Sequence, residues 1–218
     1  MPKPISGLES AFRTVIQTAT ASTDNPEPGL ATQLWNEVQA AYSRPARTYH
    51  NLQHLEDLFG ELLAVKEQIQ DWDMLVLATV YHDFVYNPLK KDNEEKSAKV
   101  AVDKLNLLHW PKDRAMACYD CILATRSHQP GNSSDINYFT DADLSILGQP
   151  SPVFAAYAAN IRREYKFFPD LAYGPGRRRV LSHFLHMERI YKTPHFFDRY
   201  EKAARENLQQ EMLQLSRI

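Results

Sequence analysis

Glycine is scarce in this chain, with 7 in 218 residues, and only two cysteines occur. Few glycines argue against a loop-rich all-β fold, and no stretch shows the sustained alternation of a strand. Cys118 and Cys121 lie three apart with no second pair, so a zinc ribbon is not expected. Buried free thiols in a reducing compartment are the expectation; a redox-active Cys-x-x-Cys lacks the strand–turn context it would need. Charge of one sign is also lacking. Net charge is −2, which gives no bulk electrostatic case for a nucleic acid polymer or a membrane surface. No apolar run approaches the ~20 residues that span a bilayer. No charged-then-apolar leader opens the chain, and a soluble cytoplasmic protein is expected. Repeats, low-complexity tracts and a convincing linker are absent too.

What is present is helical spacing. Hydrophobic residues are 44% of the chain, enough for a real core. Leu8, Phe12, Val15, Ile16 and Ala19 form one stripe, broken by Asn25-Pro26-Glu27-Pro28-Gly29. Leu30, Leu34, Trp35, Val38, Ala41 and Tyr42 form the next, ended by Pro45, and Leu55, Leu58, Phe59, Leu62 and Leu63 follow. A further helix is expected to start near Asp71 or Asp73 and end around Asn87-Pro88. Asp92 with Glu95 reads as a capping box opening another, which Trp110-Pro111 stops. Ala115 to Thr125 is helical. Ser151-Pro152 reads as a cap with proline at the first helical position, leading a helix to Phe167. Gly174-Pro175-Gly176-Arg177-Arg178-Arg179 reads as a basic turn, and Thr193-Pro194 as the cap of a last helix. That helix carries Phe197, Tyr200, Ala204, Leu208 and Leu215 on its stripe, with Glu201 and Arg205 outside it. The expected fold is all-α: one helical domain over 1–218, with a core at about 45–150 and helices of about 151–218 packed on it. The apolar tail helix could serve a homodimer.

Chemistry concentrates at His82-Asp83, inside the apolar segment Met74 to Val85. Burying an imidazole and a carboxylate there costs several kcal/mol unless something compensates. A divalent ion compensates, since both groups are metal ligands; a self-satisfied His–Asp hydrogen bond is the alternative. Neighbouring residues on a helix point about 100° apart, so other ligands must come from other helices. His50 and His54, four apart, share a face on a helix and can serve one ion, or one can support the other; incidental histidines at a solvated helix start are the alternative. His128 follows Ala124-Thr125 at a helix end and reads as cap, phosphate contact or ligand. Asp141 and Asp143 precede an apolar run as two aspartates, where a helix cap needs one.

The ordered set His54, His82-Asp83 and Asp143 resembles the HD superfamily of metal-dependent phosphohydrolases, and within it a subgroup of small predicted phosphohydrolases. Arg47-x-Tyr49-His50-Asn51-x-x-His54, His82-Asp83-x-x-Tyr86, Asp92-Asn93-Glu94-x-x-Ser97, Ala124-Thr125-x-x-His128, Asp141-Ala142-Asp143-Leu144, Arg162-x-Glu164-Tyr165 and Ala203-Ala204-Arg205-x-Asn207-Leu208 carry it, from about residue 30 nearly to the C-terminus. The resemblance implies an HD-type all-helical bundle and His54, His82, Asp83 and Asp143 as ligands of one divalent ion, with Asp141 as cap or supporting group. A second ion would recruit further histidines. Manganese, iron, cobalt, nickel and zinc all suit that set, and magnesium is compatible. The implied reaction is hydrolysis of a phosphate ester or anhydride on a small nucleotide-like substrate. Asp83 and Glu94 are the candidate catalytic groups, although Glu94 equally suits a first helical turn. Arg47, Arg126, Arg163 and Arg177 to Arg179 are the positive groups available to phosphate. Arg47, Tyr49, His50, Tyr86, His128 and Arg177 are the candidate substrate contacts. A nucleotide-binding regulator that does not turn its ligand over, and a di-iron oxygenase of the same fold, are the alternatives.

Overall fold

Why a chain of this kind folds as packed helices is clearest at its most apolar element. In the computed structural model, which describes residues 6–21 and 29–215, the helix α4 (Trp72–Tyr81) buries every residue from Met74 to Tyr81. A helix apolar all round belongs at the centre of a layer of others. It is packed by α1 (Gly7–Ala21), α3 (Leu52–Ala64), α5 (Asn93–Leu107) and α6 (Lys112–Ala124), while α2 (Leu30–Tyr42) packs on α1. A 3-10 turn, Lys66–Gln68, links α3 to α4. The remaining helices are α7 (Ser134–Asp143), α8 (Ser151–Glu164), α9 (Asp170–Leu185) and α10 (Pro194–Leu215), with a 3-10 turn at Leu144–Gly148. The ten α-helices and two 3-10 turns include no strand among the described residues, so the protein is all-α. No helix is long and apolar enough to cross a membrane. Asn25 to Pro28 lie outside the described residues; Gly29 takes a left-handed φ of 86°, which suits glycine, immediately before α2.

Contacts divide the chain into two units, residues 1–140 and 141–218. The dividing point falls within α7, with no linker at that position. In the first unit, Asp71 caps α4 by accepting the Met74 N–H and pairs with Arg114 of α6 through two hydrogen bonds. The buried Asp135 accepts the N–H groups of Gln70 and Asp71 and so anchors the start of α7. In the second unit, α10 packs on α9 and on the Leu144–Gly148 turn. A β-carbon on Gly148 would come within 2.6 Å of Tyr200, which explains a glycine there. Asn207 donates to the carbonyls of Leu147 and Gln149, and the Tyr191 hydroxyl to that of Leu144.

Several local expectations are corrected. The helix of the His-Asp pair ends at Tyr81, not near Asn87, because the next carbonyls are drawn off by Arg47 and Ser97 takes the Val85 N–H. Asp92 makes no capping bond; its carboxylate pairs with Lys96 and Glu95 pairs with Lys99. Asn93 instead grips both backbone groups of Asn87. Ser151 lies inside α8, which begins after Pro150 and stops at Glu164, short of Phe167. The basic turn is no turn: α9 runs through Gly174-Pro175-Gly176, held from outside by a buried Arg177–Glu211 pair. On α10 it is Phe196 that is fully buried, and Glu201 is buried too, accepting the N–H groups of Ile190 and Tyr191. Cys118 and Cys121 are buried free thiols, as expected.

Candidate metal centre

The site is assembled at the ends of helices. Asn51 caps α3, accepting the N–H groups of Gln53 and His54, so His54 emerges from the first turn at a fixed angle. His82 is the last residue held by α4, its N–H donating to Ala78. Phe139 on α7 meets the His82 ring edge-on at 5.8 Å. Asp143, four residues further along α7, lies on the same helical face.

His54 Nε2 and His82 Nε2 are 3.1 Å apart, both rings being buried. Asp83 Oδ2 lies 3.2 Å from His82 Nε2, 3.8 Å from His54 Nε2 and 3.9 Å from His50 Nε2. His54, His82 and Asp83 thus bring two ring nitrogens and a carboxylate together within the first unit, and such donors could hold a metal ion.

The second nitrogen of His82 determines the chemistry. Nδ1 is 2.9 Å from the Thr79 carbonyl oxygen, which only accepts, so Nδ1 carries the proton. In the neutral ring Nε2 then presents a lone pair to His54 and Asp83. A lone pair facing a carboxylate 3.2 Å away repels it unless a cation intervenes. A second proton on His82, an N–H from His54 or a metal ion would each meet that lone pair, and metal-bound histidines commonly donate their other N–H to a carbonyl in this way. Burial opposes ionisation of Asp83, but the imidazoles of His82, His50 and His54 outweigh it and hold the carboxyl well below its usual range. The donor set therefore fits a divalent ion.

The other sequence candidates are placed as follows. Tyr49 lies 4.9 Å from the His54 ring and 5.0 Å from His50, and Tyr86 lies 4.3 Å from His50, so both tyrosines wall the cluster. Arg47 is buried with its guanidinium on backbone carbonyls. Asp141, fully buried, accepts from the Lys192 and Thr193 N–H groups and the Thr193 hydroxyl, and Lys192 Nζ is 3.1 Å away. It lies in the last turn of α7 and caps nothing, and its carboxylate is consumed by these partners. Asp143 makes no side-chain cap either. Glu94 sits half-buried in the first turn of α5. His128 adopts a left-handed φ of 54° beyond α6 and is not in the ligand group. Arg163 donates to Asn160, and Arg126 is exposed. Arg177 is buried against Glu211 in the second unit. Sequence reasoning missed the Thr79 carbonyl and Ser97. A residue three before a helix-terminal histidine is a readable clue to the first, and the motif Asp92-Asn93-Glu94-x-x-Ser97 marks the second without telling its role. No family model matches the chain, and no curated protein or solved structure matches it.

Proposed function

We propose that the protein is a metal-dependent phosphohydrolase acting on a small phosphorylated, nucleotide-like substrate, with one divalent ion held by His54, His82, Asp83 and Asp143. The observation that carries the reading is the His82 ring, whose Nδ1–H is committed to Thr79 while Nε2 faces His54 and a carboxylate. When bound, the ion would lower the pKa of a water molecule and polarise a phosphoryl oxygen. Thr79 fixes the tautomer of His82, and Asp83, beside the rings of His82, His54 and His50, can help hold the ion or orient its water. His50, Tyr49 and Tyr86 form an aromatic wall against which a base or sugar could rest. The donor set suits manganese, iron, cobalt, nickel or zinc without choosing among them.

The test is to strip the purified protein of metal, reload it with each ion, and screen phosphorylated compounds for phosphate release. Metal-dependent release that disappears in His82→Ala is the expected result. A folded, metal-loaded protein inert against a broad panel refutes the reaction, and unchanged metal content in His82→Ala refutes the ligand assignment. Two irons per chain with oxygen consumption would favour an oxygenase instead.

A further inference from the structure

Arg47 was expected among the groups that contact phosphate, yet its geometry supports a different role. The residue is 5% exposed. Nη1 donates to the carbonyls of Asp83, at 2.7 Å, and His50, at 3.2 Å, while Nη2 donates to that of Phe84 at 2.8 Å. The Tyr42 and Tyr86 rings lie 4.6 and 5.3 Å from its central carbon. All three carbonyls belong to two short segments. One runs from His50 into the Asn51 cap that launches His54; the other follows His82 directly. A single planar fork thus joins the two limbs that deliver the imidazoles and Asp83, and it draws the chain off the axis of α4 just where the ligands are needed.

We propose that Arg47 is a positioning residue for the metal centre, setting the separation of His54 from His82-Asp83 by clamping carbonyls and not by contacting substrate. The inference rests on the metal-site reading above. A lysine cannot replace the clamp, because a point ammonium lacks the fixed fork that spans carbonyls on two segments.

The test compares the full-length wild type, Arg47→Lys and Arg47→Ala after metal stripping. Co²⁺ affinity is measured by competition with a chromophoric chelator, the d–d absorption of the cobalt-loaded proteins is recorded, and amide hydrogen exchange is followed over residues 82–86. Both variants should keep wild-type helicity by circular dichroism, lose about 10–100-fold in Co²⁺ affinity, shift the d–d bands, and exchange faster at 82–86. Arg47→Lys should not restore any of these. Wild-type affinity and bands in either folded variant overturn the proposal, and if Arg47→Ala does not fold, Arg47→Lys decides it. If the wild type takes up no Co²⁺, the metal-site reading fails by itself; unchanged exchange at 82–86 then overturns the clamp as well, and faster exchange upholds it as the element that fixes this turn.

Discussion

Replacing Asp71 should weaken the protein without touching the metal centre, and the size of the loss can be built from its contacts. One carboxylate caps α4 through the Met74 N–H and holds Arg114 through two hydrogen bonds. Loss of an N-cap costs about 1 kcal/mol. The ion pair is partly exposed, with side-chain accessibilities of 36% for Arg114 and 29% for Asp71, and contributes about 0.5–1 kcal/mol. Asp71→Ala should therefore cost about 1.5–2 kcal/mol, or roughly 3–8 °C in Tm for a chain of this size. Asp71→Asn keeps a capping oxygen and should lose only the ionic part. Burial pushes the Asp71 carboxyl up, but Arg114 and the Met74 N–H outweigh it and hold it below the ordinary carboxylate value. A depressed folded pKa means that its stabilisation is present above the unfolded value of ~3.9 and is lost as pH falls through the folded one. The gap between wild type and Asp71→Asn should thus be constant near neutrality and close below about pH 4. The ten residues of α4, about 15 Å of helix, separate Asp71 from His82, so Co²⁺ affinity should stay within about twofold of wild type, well short of the 10–100-fold losses seen when a ligand's own support is removed. Urea unfolding from pH 3 to 7, with cobalt titration at pH 7, measures both. Equal losses in the Ala and Asn variants would refute the division between cap and ion pair. A wild-type Tm in Asp71→Ala would refute the whole account.

The buried Arg177–Glu211 pair on α9 and α10 should behave asymmetrically: Glu211→Ala strands a buried guanidinium and should cost about 3–5 kcal/mol, whereas an Arg177→Met, Glu211→Leu double variant should recover most of that in urea unfolding. Burial pushes the Cys118 thiol up to about 12 and the Cys121 thiol well above its ordinary value, so neither should react with a thiol reagent at pH 8 until the protein is unfolded; prompt labelling of the native protein would contradict their burial.

Much of the architecture is legible in the residues. The all-round apolar run from Met74 reads as a buried central helix starting near Asp71 or Asp73, and Asp71 is its cap. Helix boundaries at Leu30, Leu52 and Trp110-Pro111 follow from apolar period and proline, because those signals act within one or two turns of chain. Where a residue's partner is distant, the reading fails. Glu201 looks like an exposed charge on a helix until the Ile190 and Tyr191 N–H groups are found beside it. Gly174-Pro175-Gly176 has the composition of a turn, yet α9 passes through it. Two neighbouring aspartates in α7 look interchangeable, but the Asp141 carboxylate is consumed by Lys192 and Thr193.

From the residues alone one reads that the chain is helical, which helix is central, and that His54, His82 and Asp83 are worth attention, because period, caps and polar groups in apolar runs are local properties. The packed helices alone reveal which nitrogen of His82 is protonated, that Arg47 holds carbonyls, and that Asp141 is taken up by Lys192 and Thr193. Those outcomes depend on hydrogen bonds between residues far apart in the chain, and such partners are chosen by packing.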